Sequence, residues 1–487
     1  MGEPRPPDGS SGAAHAEADP VSQLEALLAL PAEPDLLDRW AASRAPDPLR
    51  HFYQIAMQGL GVAPDRVLDA VRHLRTALPE GTLARDALLA RLEAHGLRGV
   101  GRASASVTLY ARAASLYARL GDRAEQVRTA VGWSFALALA GDPREAERVG
   151  RGARALLGPG EAVLGARLDT NVATAWQLAG SFDRATMAFQ RAFAVLRDAG
   201  MAADAGLVAH NLGSLALMSG HADAAELRCR EALLLFGTAS TGLQPLYSRT
   251  ILAAVDLTRG RWNEALAAIG MLREDFEQRG DARARAWLHR ELAHLFASVG
   301  ALEAALPEAE AAVGIFREAA LTVDAAHTAV LFGRLLARQG QTQAAAAELA
   351  NARVHFAHSD NRAQLHRVDL ERARLQLASG DPTGALATLA PARAYLEKRD
   401  PQGDGALARA VAGEIHLHRN HPRLARRLLE RAYRDVRRHP AKLERPRFAI
   451  LAARAATDPA EVTRWTRRAL DELERNLLRF GTRQMRV

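Results

Sequence analysis

The sequence predicts an all-α protein, a right-handed α-solenoid of antiparallel helix pairs. Three observations predict it. Ala, Leu, Arg and Glu dominate and aromatics make up only 5% of the chain, a composition that favours helix. Glycines recur at near-constant spacing behind apolar helical stretches. Small side chains recur in fixed register with those glycines.

The glycines are Gly141, Gly180, Gly220, Gly260, Gly300, Gly340 and Gly380, and Asn420 continues the series. The first interval is 39 residues and the next six are 40. A glycine at this place supplies the left-handed residue that closes a helix, and asparagine is the usual substitute. A second helix begins at once. Asp142-Pro143, Asp381-Pro382 and His421-Pro422 put proline at the first helical position, and aspartate is a good N-cap.

Five residues after every marker stands alanine: Ala146, Ala185, Ala225, Ala265, Ala305, Ala345, Ala385 and Ala425. Seven before it the residue is Ser134, Ala173, Gly213, Ala253, Ala293, Gly333, Ala373 or Gly413. Twelve after it alanine returns, with Leu272 the exception. Two antiparallel helices, A and B, need small residues where their axes cross closely, and large apolar residues between the crossings. One pair leaves an apolar face open, and stacking the next pair closes it. A chain of 487 residues, too long for one compact core, fits such an array.

This register resembles the tetratricopeptide repeat (TPR), a helix–turn–helix unit. Asn211-Leu212-Gly213 through Gly220, Ala225 and Glu231-Ala232-Leu233 match it best. The family's usual period is 34 residues. The 40-residue spacing is similar to the longer variety of kinesin light chains and many bacterial regulators. The resemblance covers about residues 122–440.

The expected organisation has four parts. Residues 1–20 read as a disordered tail and 21–101 as an irregular helical region, including Asp65–Leu78 and Thr82–His95. Residues 102–440 form the array of about eight repeats, and 441–487 form basic capping helices. From His421 to Val487 there are 18 Lys and Arg against 8 Asp and Glu, so the net charge of +8 belongs to this end. One cysteine, Cys229, rules out an internal disulfide and suits a reducing, cytoplasmic setting. No apolar run is long enough for a membrane span.

No nucleotide, metal or cofactor motif and no catalytic constellation is present, so the chain reads as a binding scaffold, not an enzyme. His289 and His294, five apart, do not share a helix face. His418 and His421 straddle a helix end. Cys229, between two arginines, reads as a packing residue, and Trp133, Trp176, Trp262 and Trp287 as core fillers. The C-terminal arginines, among them Arg423, Arg426, Arg427, Arg434, Arg437, Arg438, Arg445 and Arg447, lack interleaved aromatic platforms. They read as an acid-paired face. A nucleic-acid-linked regulator is the alternative they raise.

The family resemblance implies that the A helices line a concave groove. Transferred by register, the partner-binding candidates are Arg128, Arg167, Asn171, Thr174, His210, Asn211, Ser214, Arg290, His294, Arg334 and Arg374. Asn171 and Asn211 occupy equivalent places on successive A helices, and an amide both donates and accepts. The neighbouring arginines favour an acidic partner, a protein or peptide segment. The last helix, with Phe480-Gly481-Thr482 and Met485-Arg486, is similar to the join between repeats and protease in bacterial TPR–CHAT protease proteins. That resemblance implies a sensor part of a larger protease or signalling system.

Overall fold

The computed structural model describes residues 19–41, 47–60, 63–78, 81–237, 243–278, 282–359, 361–399, 403–436 and 444–479. The predicted disordered tail, up to residue 18, and Arg437, Arg438 and Phe480 onward lie outside the described residues. Among the described residues the regular elements are helices, without strands.

The first five are α1 (Pro20–Leu28), α2 (Leu36–Ala41), α3 (Pro48–Gly59), α4 (Pro64–Ala77) and α5 (Leu83–Gly99). Proline opens three of them, which its fixed φ and missing N–H allow. Asp47 caps α3 by accepting from the Arg50 amide at 3.0 Å. These helices share a core around Leu24, Leu27, Phe52, Val71 and Leu74. Trp40 closes it, and its indole N–H donates to the Gln23 carbonyl at 3.0 Å.

From α6 (Ala103–Arg119) onward the helices alternate regularly. The A helices are α7 (Arg123–Leu139), α9 (Ala162–Leu178), α11 (Ala202–Met218), α13 (Gln244–Thr258), α15 (Ala282–Ser298), α17 (Thr322–Arg338), α19 (Arg362–Ala378) and α21 (Asp404–His418). The B helices are α8 (Pro143–Arg154), α10 (Phe182–Asp198), α12 (Ala222–Phe236), α14 (Trp262–Gln278), α16 (Leu302–Glu318), α18 (Thr342–His358), α20 (Pro382–Arg399) and α22 (Pro422–Asp435). Helices α23 (Arg445–Ala455) and α24 (Pro459–Arg479) follow. Each helix packs on its sequence neighbours, and most A helices also touch the next A helix. The result is an all-α solenoid of antiparallel helix pairs.

The small-residue register has a direct packing cause. All eight alanines five past the markers are fully buried. A Cβ placed on Gly213 would stand 2.5 Å from Cys229 Sγ and 3.3 Å from the Ala225 carbonyl. Gly333 and Gly413 meet Leu349 with the Ala345 carbonyl, and Leu429 with the Ala425 carbonyl, in the same way. The A helix therefore presses its smallest side chain against the B-helix backbone. The A-to-B turn is left-handed, with φ of 76° at Gly141, 79° at Gly220 and 58° at Asn420. The Asp142 amide reaches back to the Leu137 carbonyl at 2.9 Å, closing α7.

The array returns on itself. Arg399 Nη1, at the end of α20, lies 3.0 Å from Asp142 Oδ2, at the start of α8. Arg367 Nη2, on α19, donates to the Leu178 carbonyl at 3.4 Å. A Cβ on Gly141 would sit 3.0 Å from Ala363 Cβ, and one on Gly101 would strike Val323. Turns and single side chains make this seam, whereas sequential helices pack along their lengths.

Candidate ligand chamber

Closure converts the inner face of the solenoid into a chamber of about 990 Å³. Its walls come from α7, α9, α11, α13, α15, α17, α19 and α20, with a few residues from the α5–α6 turn and the start of α21. That volume stands at the upper end of ligand pockets, roughly 300–1,000 Å³.

Four sequence-predicted residues line it: His210, Ser214, Arg290 and His294. His210 and Ser214 are four apart on α11, and Arg290 and His294 four apart on α15, so each pair shares a helix face. His294 is open to the lumen although it lies deep in the molecule. Burial among the surrounding walls lowers its pKa, as it does for His210 and His327, both held down to about 4. His210 Nδ1 also meets Ser248 Oγ at 3.2 Å.

The remaining predicted residues are placed elsewhere. Arg128 pairs with Glu125 on its own helix, and Arg167 donates to Asp204 Oδ2 at 2.8 Å. Asn171 Nδ2 donates to the Val131 carbonyl at 2.7 Å, so its amide joins α9 to α7 inside the scaffold. Thr174 Oγ1 donates to the Thr170 carbonyl one turn back. Arg334 Nε is 3.7 Å from Glu371, and Arg374 reaches Glu371 and Glu444. Asn211 is half-buried on α11 outside the chamber lining.

Other lining residues escaped sequence reasoning: Trp287, Asp324, His327, Arg367, Tyr395 and Arg399. A signal for three of them existed. Arg128 and Arg167 stand thirteen residues before their markers, and so do Trp287, His327 and Arg367. The same register applied to the later repeats finds them. Tyr395 and Arg399 lie on a B helix and enter only because the ring closes. The tryptophan expectation is corrected at Trp262, whereas Trp287 packs against the core and also borders the chamber. The Trp287 ring meets Tyr247 and Phe276 at ring-centroid distances of 4.2 and 6.2 Å. Trp262 is 48% exposed at the start of α14. Trp176 is a buried core residue.

Three of the chamber's four arginines face carboxylates. Arg290 faces Glu291 at 3.3 Å and Asp324 at 3.7 Å. Arg367 pairs with Asp404, and Arg399 with Asp142. Arg98 lies over the Phe135 ring, 5.1 Å from its centroid.

Outside the chamber, Cys229 is fully buried and burial pushes its thiol up to about 12, so it stays an inert packing group. His289 Nδ1 meets Glu308 Oε2 at 2.7 Å, on another face from His294. In the C-terminal histidine group the rings that approach are His416 and His421, 5.9 Å apart. Among the described residues no group of three or more His, Cys, Asp or Glu is placed to hold a metal. No described helix is long and apolar enough to cross a membrane.

Fold and chamber together define the class: a helix-pair solenoid, TPR-like, closed around a central site. No family model matches the chain, and no curated protein matches it. Among solved structures, a Rap protein complexed with competence and sporulation factor is similar at 15% identity and TM-score 0.47, over 73% of this chain and 100% of that one. Yeast Tom70 is similar at 12% and 0.45, over 88% and 96%. The apo quorum sensor NprR from B. thuringiensis is similar at 11% and 0.44, over 69% and 97%.

Proposed function

We propose that the protein is an interaction scaffold that binds a short protein segment inside the chamber, and that it acts by binding and not by catalysis. One observation carries this reading. Side chains from successive A helices converge on a single deep, partly open space instead of a shallow groove. A deep concave site removes much of a ligand's surface from water, which gives affinity to a short segment. His210, Ser214 and His294 supply neutral donors and acceptors suited to a peptide backbone.

The predicted preference for an acidic partner gains little from this geometry, because three of the chamber's arginines already face carboxylates. The basic C-terminal face does not favour nucleic acid either. Arg445 is 2.7 Å from Glu472, Arg447 is 2.6 Å from Glu414, and Arg426 pairs with Glu461. A role as sensor for an attached or partner effector, the CHAT-type protease among them, rests on the resemblance of the last helix with Phe480-Gly481-Thr482 and Met485-Arg486, and residues 480 onward lie outside the described residues.

A photo-crosslinking side chain at position 294 tests the reading. Peptide adducts should form there and not at Leu234, which is 83% exposed on α12. Adducts at 234 but none at 294 would overturn it.

A further inference from the structure

We propose that the chamber selects an uncharged, apolar segment carrying an aromatic side chain, received against Trp287. This rests on the reading of the chamber as the binding site and goes beyond it by naming the chemistry of the occupant.

Charge gives the first argument. Arg290, Arg367 and Arg399 each engage a carboxylate of the scaffold. An incoming carboxylate has to displace one of those groups or sit beside it, a like-charge contact in a partly desolvated space. An incoming lysine or arginine meets the opposite problem, because Glu291, Asp324 and Asp404 already have cations. The three lumen histidines are uncharged near neutrality, since burial lowers each of them. Three of the four lining arginines are thus already matched, and the fourth, Arg98, lies over the Phe135 ring, so little unmatched charge faces a ligand.

The apolar wall gives the second argument. Trp287 borders the lumen and packs on Tyr247 and Phe276, with ring centroids 4.2 and 6.2 Å away. Leu217, Ile251, Leu295 and Val323 also line the chamber. An aromatic ligand side chain meeting this wall gains area burial and favourable ring geometry. A buried aromatic anchor surrounded by polar groups that exclude water is also the usual composition of an energetic hot spot.

The experiment is selection of random short displayed peptides on the full-length protein. The recovered sequences should be rich in Trp, Phe, Leu and Ile and poor in Asp, Glu, Lys and Arg, with affinity nearly independent of salt. Trp287→Ala should weaken them at least about tenfold, and Trp287→Phe should restore much of that. Ser214→Trp, which fills the lumen from a half-buried position, should abolish binding while leaving thermal unfolding unchanged. Charged peptides that are blocked by Ser214→Trp would overturn this proposal and leave the chamber as the site. Peptides that bind Ser214→Trp as well as wild type, or no retained peptide at all, would overturn the chamber reading itself. Retention of the uncharged dye Nile red in the chamber, with no peptide retained, would show an occupant other than a protein segment and overturn both.

Discussion

Asp142 and Arg399, 257 residues apart in sequence, are joined through one carboxylate that does two tasks. Oδ1 caps α8 by accepting from the Glu145 amide at 3.2 Å, and Oδ2 takes the Arg399 guanidinium at 3.0 Å. The helix start that the sequence marks with Asp142-Pro143 is thus also one side of the seam. Both groups are partly exposed, so the pair alone stabilises by at most about 1 kcal/mol. Arg399→Ala and Asp142→Asn should each cost no more than that in chemical denaturation, since asparagine keeps the cap. Asp142→Ala loses cap and pair, and should cost about 1 kcal/mol more. Equal costs for the asparagine and alanine variants would show that the cap contributes nothing.

Gly213 and Cys229 test the helix crossing. In an open helix Gly→Ala stabilises by about 1 kcal/mol. Here the new Cβ would stand 2.5 Å from Cys229 Sγ, so Gly213→Ala should instead destabilise, by about 1–3 kcal/mol. Cys229→Ala removes the obstructing sulfur. The double variant should be more stable than the sum of the single effects predicts, and strict additivity in a double-mutant cycle would contradict the packing described.

Asn171 should behave as a structural residue. Its amide N–H bonds the Val131 carbonyl, which Ser134 Oγ also reaches at 3.0 Å, so removing it loses one interhelical hydrogen bond without orphaning the acceptor. Asn171→Ala should cost about 1 kcal/mol in stability. It should leave the affinity of a chamber-bound peptide within about twofold, a shift of well under 1 kcal/mol. A large affinity loss at unchanged stability would return Asn171 to the binding surface.

Acid should weaken the fold in a defined window. Burial holds His95 down to about 3, and His210 and His327 down to about 4. The unfolded histidines take protons near pH 6.5. Between those values the unfolded chain binds protons that the folded chain refuses, so stability is full above pH 6.5 and falls as pH drops toward 4 and, for His95, toward 3. His210 and His327 border the lumen, which reduces their share. Combined His95→Gln, His210→Gln and His327→Gln should flatten the dependence of Tm on pH in this window. An unchanged slope would place the acid sensitivity in other groups.

Much of the solenoid was legible because its signals are local. A left-handed glycine, an N-cap followed by proline, and an alanine opposite a glycine are each decided within one helix pair. Gly141, Asp142 and Ala146 show all three. The chamber was legible only in part. His210, Ser214, Arg290 and His294 follow from register on one helix, and Trp287 and His327 follow from the same register carried further. Arg399 and Tyr395 do not, because their places depend on how far the superhelix turns per pair, a small angle summed over many units. No single repeat encodes that sum. The missed asparagine role has a different cause: Asn171 has the right position for a ligand but spends its donor on a neighbouring helix.

Ring closure is the central claim, since without the seam there is no chamber. A disulfide tests it most directly. A Cβ on Gly141 would lie 3.0 Å from Ala363 Cβ, short of the roughly 3.5–4.5 Å of disulfides, and a side chain at φ 76° is strained, so the turn has to open slightly and the Gly141→Ala protein serves as the folding control. The native Cys229 is buried and does not compete. In the Gly141→Cys/Ala363→Cys protein, mild oxidation should consume both new thiols and join α19 to the turn before α8 in the monomer, seen as an intramolecular cross-linked peptide by mass spectrometry. Free thiols that persist under oxidation, in a protein that remains helical and folded, would contradict closure and with it the chamber.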